Sequence, residues 1–390
     1  MKGRKTMVSF RLDEEQREIQ ELVRKFAQNE IAPHAGEWDE AHTFPRHIFE
    51  SMAEMGLTGL LVLEDFGGAQ LSRLTGTVIY EQLAQADLSV AVWLSVHNMV
   101  AGLIARFGNE RQHRRWLPDM TAGKALGAFS LSEAHAGSDA ANVRCLARLD
   151  GDSYVVNGSK YWVTSAGEAG VYAVMVRTDP DAGARGITTL IVEKDTPGFS
   201  IGKVERKMGL HSSPTGELIF EDCRVPVENR LGAEGEGFKI ALSSLEGGRV
   251  NIGASATGAA QAALDVACRY AQERTAFDKP LGAFEGIQFM LADMATKVEA
   301  ARLLVHQAAC KMDDGEPAAK YAAMAKCFAT DAAMQVTTDA VQVLGGAGYV
   351  RDWPVERYMR DVKATQIFEG SNQIQRLVIA KALLGSVASL

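Results

Sequence analysis

Gln342-Val-Leu-Gly-Gly-Ala-Gly-Tyr-Val-Arg-Asp-Trp-Pro-Val-Glu-Arg-Tyr-Met-Arg-Asp361, followed by Ile367-Phe-Glu-Gly-Ser-Asn-Gln-Ile-Gln-Arg376, forms a glycine-broken segment near the C-terminus. Helical spacing upstream predicts a helix over 318–344, which Gly345-Gly346-x-Gly348 ends. A short final helix is expected after Gly370. Glu369 stands at that break, beside a glycine that lets the backbone approach a ligand closely. Two readings of Glu369 are open. It is a general base, or it caps the last helix from its N-terminal side.

Working outward, helical spacing fills 232–390: one long helix over 238–274, a second over 287–311 and the one over 318–344. The zone 125–231 reads differently. Tyr154-Val-Val and Lys160-Tyr-Trp-Val-Thr flank Asn157-Gly158, a hairpin-turn signal, and 171–177, 187–193 and 217–220 read as further strands, the last ending before Val225-Pro226. No helices alternate with these strands. A mostly antiparallel barrel or sandwich is expected, not a nucleotide-binding βαβ fold. The first zone, 1–124, returns to helix, with Ile19, Leu22, Val23 and Phe26 at helical spacing and a long apolar stretch over 75–107. Glu81, Gln82, Asp87 and His97 interrupt that stretch and argue against a membrane span. The expected class is α+β multidomain: an N-terminal helical domain (1–124), a middle antiparallel β-barrel or sandwich domain (125–231) and a C-terminal four-helix bundle (232–390).

Composition sets limits. The chain has 390 residues and a formal net charge of −8, which argues against a nucleic-acid binder but leaves room for an anionic ligand held by local Arg and Lys. Its five cysteines are irregularly spaced without a Cys-x-x-Cys pair, which argues against a disulfide framework or a zinc site and fits a reducing compartment. No metal site is expected. The basic start Met1-Lys-Gly-Arg-Lys is not followed by an apolar signal core. The cluster Gly232, Gly235 and Gly237 lacks the Gly-x-Gly-x-x-Gly spacing of a nicotinamide site, and no Walker loop or Gly-x-Ser-x-Gly elbow occurs.

The quoted segment resembles the second signature of the acyl-CoA dehydrogenase family, on Gln342, Gly345, Gly346, Gly348, Tyr349, Asp352, Arg357 and Asp361. Three other stretches resemble the same family: Phe129-Ser-Leu-Ser-Glu-Ala-His-Ala-Gly-Ser-Asp139, Trp162-Val-Thr164 and Arg274-Thr-Ala-Phe-Asp-Lys-Pro-Leu281. The resemblance runs over essentially the whole chain. It implies an FAD-dependent oxidoreductase that takes hydrogen from the α and β carbons of an acyl-CoA thioester and passes electrons to an electron-transferring flavoprotein. A homotetramer is implied too, in a bacterial cytoplasm or a mitochondrial matrix, serving fatty-acid or branched-chain amino-acid catabolism.

The resemblance also implies roles. Glu369 is the base. Phe129, Leu131, Ser132, Trp162 and Thr164 meet the flavin, and Ser138 lies near phosphate or the substrate chain. Arg274 and Phe277 reach the flavin of a neighbouring subunit. Gln342, Gly345, Gly346, Ser371 and Gln373 complete the cofactor site, while Glu246, Arg249 and Gly370 face the acyl-CoA. A carboxylate suits the base position because an α-proton of a thioester is a poor acid, and burial against the flavin and an apolar acyl chain is expected to raise the carboxyl pKa. The chain departs from the family pattern at Ser130, at Ala134 in place of Pro, and at Glu285, whose charge would repel a diphosphate. Some members, such as isovaleryl-CoA dehydrogenase, carry the base just before the Arg of Gly-Gly-Arg249, where this chain has Gly248. The same stretch is similar to isobutyryl-CoA and short branched-chain dehydrogenases. Two alternatives keep the fold: a flavin oxidase or monooxygenase that uses oxygen, and a non-catalytic scaffold or partner subunit.

Overall fold

The computed structural model describes residues 11–387, so the basic start at 1–5 lies outside the described residues. The N-terminal part is helical: α1 Glu14–Phe26, α2 Ala35–Ala41, α3 Arg46–Glu54, α4 Arg73–Ala86, α5 Leu88–Phe107 and α6 Glu110–Thr121. Asp13 starts α1 through a capping box with Gln16, and Asn109 starts α6 the same way with Gln112. The apolar stretch over 75–107 is not one helix. Asp87 takes an extended conformation between α4 and α5, and its carboxylate accepts the Val90 N–H. By length and composition α5 could cross a membrane, but it is packed inside the protein. Its His97 joins zones: one ring nitrogen meets the Thr58 carbonyl at 2.9 Å and the other accepts the Gly127 N–H at 3.0 Å. Burial pushes this imidazole down to about 4, so it stays neutral in that role.

The strands follow: β1 Gly127–Ser130, β2 Leu146–Asp150, β3 Ser153–Thr164, β4 Val171–Arg177, β5 Ile187–Glu193, β6 Phe199–Val204, β7 Thr215–Pro226 and β8 Arg230–Leu231. They form one sheet in the order β6-β7-β3-β2-β4-β5-β8, with β1 beside β4. Pairing is antiparallel except that β1 and β2 run parallel to β4, so the sheet is mixed. The Asn157-Gly158 hairpin expectation is wrong. β3 runs through both residues, because the Asn157 side chain pairs with the Asp222 side chain and backbone on β7 at 3.0 and 2.9 Å. The hairpin is instead at Gly151-Asp152, between β2 and β3. β7 also continues to Pro226 rather than ending before Val225.

The C-terminal part returns to helix. α7 Gly237–Glu273 leads into a small ribbon of β9 Thr275–Ala276 and β10 Lys279–Pro280. Then come α8 Glu285–Asp313, α9 Ala319–Leu344, α10 Gly346–Tyr349, α11 Val355–Thr365 and α12 Asn372–Leu384. Small residues along α7 and α9, such as Ala256, Ala263, Ala325 and Ala333, are fully buried and let these helices pack closely. The core they form with α8 is continuous with that of α4 and the first half of α5.

One buried ion pair braces the β1–β2 loop. Glu133 accepts the N–H groups of Arg144 and Cys145 at 2.7 and 2.9 Å and the Lys160 ammonium at 2.8 Å. Lys160 also donates to the Leu131 carbonyl at 3.0 Å. Burial opposes ionisation of Glu133, yet Lys160 and the two amides hold its carboxyl below the usual range. Lys160→Met would strand this carboxylate in the interior and is expected to cost about 3–5 kcal/mol. Urea unfolding at pH 7 measures that loss, and a change under 1 kcal/mol (about the worth of an exposed pair) would contradict it.

Candidate active site

Glu369 lies in the short link between α11 and α12. It has a left-handed backbone, φ +52°, and Gly370 follows at φ +85°. Two successive left-handed residues give a sharp turn, which for Glu369 costs on the order of 1–3 kcal/mol. A Cβ on Gly370 would sit 2.7 Å from Gln375 Nε2 and displace that amide, and the positive φ already favours glycine there. Donors from three helices hold the turn. Gln375 on α12 donates to the Gly370 and Glu369 carbonyls at 2.8 and 3.3 Å. Arg249 on α7 donates to the Glu369 carbonyl at 3.4 Å, and Lys326 on α9 to the Gly370 carbonyl at 3.0 Å. The cap of α12 is Ser371, whose Oγ accepts the Ile374 N–H. The capping reading of Glu369 is therefore set aside.

The Glu369 carboxylate turns toward α7. A Cβ on Gly248 would come within 2.3 Å of Oε2, so α7 makes room for this acid by having no side chain at that point. Glu369 thus occupies the space that an acid at position 248 would need. The residue as a whole is half-buried, yet Oε2 is sealed from solvent and has no hydrogen-bond partner among the described residues. Burial pushes the carboxyl up to about 7, although Lys326 and Arg249 favour its charge. Burial pushes the Arg249 guanidinium down, opposed by Glu369 and Glu246. Tyr80 on α4 is buried as well, and burial pushes its hydroxyl up, with the charge of Glu369 adding to the effect. A cleft whose lining includes Leu61, Arg73, Met99, Leu103 and Phe107 reaches Gly248, the residue against which this carboxylate lies. The arrangement can accept a proton near neutral pH from a ligand lying against α7.

The expected flavin face lies on the β part. Phe129, next to last in β1, is half-buried, Leu131 is buried and Ser132 is half-buried. The Ser132 carbonyl accepts the Tyr161 N–H at 2.9 Å, which ties this loop to β3 beside Trp162. Trp162 has φ +56° and is 55 % exposed, while Thr164 is half-buried. The hydroxyls of Ser130 and Ser165 are buried without a partner. An outward aromatic face fits a planar ring that needs stacking, as a flavin does. Ser138 is exposed further along that loop.

The structure brings Glu369, Gly370 and Arg249 together, with Glu246 half-buried on the same helix. Other expected residues lie at the surface: Arg274, Phe277, Gln342, Gly345, Gly346 and Gln373. Phe277, 89 % exposed and at φ +51°, forms the tip of the β9–β10 ribbon. Sequence reasoning missed Lys326, Tyr80, Gln375 and Arg73. The signal for Lys326 was a single cation in the alanine-rich run Tyr321-Ala-Ala-Met-Ala-Lys326.

Comparison with known proteins places these features in a wider group. Residues 13–124, 128–223 and 235–384 match the family models described as the acyl-CoA dehydrogenase N-terminal, middle and C-terminal domains. The chain is 46 % identical over 376 residues to the mitochondrial isobutyryl-CoA dehydrogenase of Dictyostelium discoideum, covering 96 % of this chain and 90 % of that one. The solved butyryl-CoA dehydrogenase of Megasphaera elsdenii superposes with a TM-score of 0.95 at 43 % identity, covering 97 % of this chain and all of that one. A chain from a structure described as the electron transferring flavoprotein of Acidaminococcus fermentans superposes at 0.96 with 46 % identity, covering 97 % of this chain and 100 % of that one.

The raised carboxyl pKa has a consequence for stability. In the unfolded chain Glu369 titrates near 4.5, and in the folded chain near 7. Below the first value both states are protonated and the site costs nothing. Above the second the folded chain bears the full cost of a buried charge. Glu369→Gln is therefore expected to stabilise the fold by about 2–4 kcal/mol at pH 8 and by little at pH 4. Chemical unfolding at the two pH values checks this, and equal stability of both proteins at pH 8 would contradict it.

Proposed function

The chain belongs to the acyl-CoA dehydrogenase family of FAD-dependent oxidoreductases, and on that premise we propose that it desaturates a short or branched-chain acyl-CoA thioester to the 2-enoyl-CoA. One observation supports this most: a carboxyl lifted to about 7, with one oxygen sealed from water and without a hydrogen-bond partner among the described residues, lying against Gly248 of a cleft's lining. Glu369 takes the α-proton of the thioester. FAD, when bound, supplies the acceptor for the hydride that leaves the β carbon. Arg249 fixes the Glu369 backbone and lends positive charge to the site, and Gly370 leaves room for the thioester to lie close to the chain. Arg249 and Glu246 line the approach of the acyl-CoA. Water exclusion raises the proton affinity of the base and spares it a competing hydrogen bond, while the charges of Lys326 and Arg249 favour its ionised form.

Residues of one chain would hold much of the cofactor: Phe129, Leu131, Ser132, Trp162 and Thr164 at the ring, Ser138 toward phosphate, and Ser371 at the link before α12. The surface residues Arg274, Phe277, Gln342, Gly345, Gly346 and Gln373 serve a neighbouring subunit's cofactor in a homotetramer. Their exposure in the single chain supports that assignment, since an Arg suits a diphosphate through its planar fork. The partner that takes the electrons onward is an electron-transferring flavoprotein. A bacterial cytoplasm or mitochondrial matrix would house both.

An anaerobic screen tests the reading. Protein loaded with FAD is mixed with acyl-CoA thioesters of different length and branching, and the flavin absorbance is followed. Short or branched thioesters are expected to bleach it fastest. Glu369→Gln is expected to keep the flavin bound while slowing bleaching by about 10³-fold, within the range that a positioned general base supplies. Protein that stays yellow with every thioester would overturn the reading, and rapid peroxide release in air would select the oxygen-using alternative.

A further inference from the structure

Lys326 is one of the largest fully buried side chains in the protein, at 0 % exposure, in the middle of α9. Its ammonium meets two neutral acceptors, the Gly370 carbonyl at 3.0 Å and the Asn372 side-chain oxygen at 2.9 Å. A buried ammonium is expensive, and neutral acceptors compensate only part of its charge. Asn372 is itself fixed by Thr330 and Asp331, at 2.8 and 2.7 Å. The ammonium is thus bolted to the C-terminal side of the left-handed turn that carries Glu369 and to the start of α12. The anion that most favours its charge is Glu369 itself, and burial still lowers the ammonium to about 8. The other charged or titratable groups facing the pair are Arg249 on α7, Tyr80 on α4, and Cys327 and Asp331 on α9.

We propose that Lys326 is a positioning residue for Glu369: its ammonium clamps the Glu369–Gly370 turn and keeps the carboxylate in its proton-accepting form. The inference rests on the proposed role of Glu369 as the base. Arg249 grips the carbonyl on the other side of the same turn at a longer distance, so it cannot replace the Lys326 clamp. A neutral side chain at 326 leaves Glu369 more reluctant to ionise. An amide in that place retains a donor but lacks the charge, whereas a guanidinium retains the charge.

Isotope-edited infrared spectra of the Glu369 carboxyl in the holoenzyme, taken across pH without substrate, read its ionisation directly. Anaerobic flavin reduction gives the matching rate. In Lys326→Met and Lys326→Gln the ionisation midpoint is expected to rise by about one pH unit or more, because a favourable charge within a dry site has been lost. Reduction at pH 7 is expected to slow about tenfold or more while the half-saturating thioester concentration changes little, and Lys326→Arg restores most of both. If Lys326→Met does not fold, Lys326→Gln decides the matter, since it keeps a donor to the Gly370 carbonyl. A midpoint unchanged in both neutral variants would overturn the proposal and leave Lys326 a structural residue. Failure of the wild-type protein to be reduced by any thioester would instead sink the function proposed above, and the infrared midpoint would still report on Lys326.

Discussion

The site depends on keeping one carboxylate both buried and unpaired. A buried acid ordinarily finds donors, and the more it finds the weaker a base it becomes. Here the donors are spent on the backbone of the Glu369–Gly370 turn, through Gln375, Arg249 and Lys326, while Oε2 has none. The turn is left-handed at both residues and would not persist without them. The space for the acid comes from a missing side chain at Gly248 on the facing helix. Three helices far apart in sequence therefore determine where one proton can go.

The β part follows the same logic of fixing the frame and leaving one face free. Glu133 and Lys160 lock the loop after β1 onto β3 from inside, and His97 links β1 to α5 as a neutral imidazole. With its backbone held, this region can leave the Trp162 ring outward. An aromatic face on a rigid frame is what a planar cofactor can stack on without reorganisation. The residues that would reach a second subunit's cofactor sit elsewhere, on the exposed β9–β10 ribbon and at the end of α9.

Local pattern made much of this legible. The long helix expected over 238–274 is α7, Gly237–Glu273, and the strands expected over 171–177 and 187–193 are β4 and β5. Periodicity and flanking glycines suffice for such elements. Asn157-Gly158 misled because its outcome is set by Asp222 across the sheet, a partner no local turn rule includes. Lys326 was invisible for a related reason. A lone lysine in an alanine-rich helix reads as solvated, and its burial depends on the carbonyl of a turn 44 residues later. The proposed role of Glu369 comes only from the family's motif, whereas its unpartnered oxygen and the fit against Gly248 needed coordinates. Ser371, two residues on, shows how near the capping alternative lay.

The central claim is that Glu369 removes the α-proton, and exchange of that proton tests it without relying on hydride transfer. The holoenzyme binds a 3-thiaacyl-CoA, which has acidic α-hydrogens but gives up no β-hydride, in heavy water, and NMR follows deuterium entering the α position. The account predicts exchange that rises with a single ionisation near pH 7 in the wild type and is lost in Glu369→Gln. Exchange at the wild-type rate in Glu369→Gln, with the ligand still bound, would contradict it and place the base elsewhere.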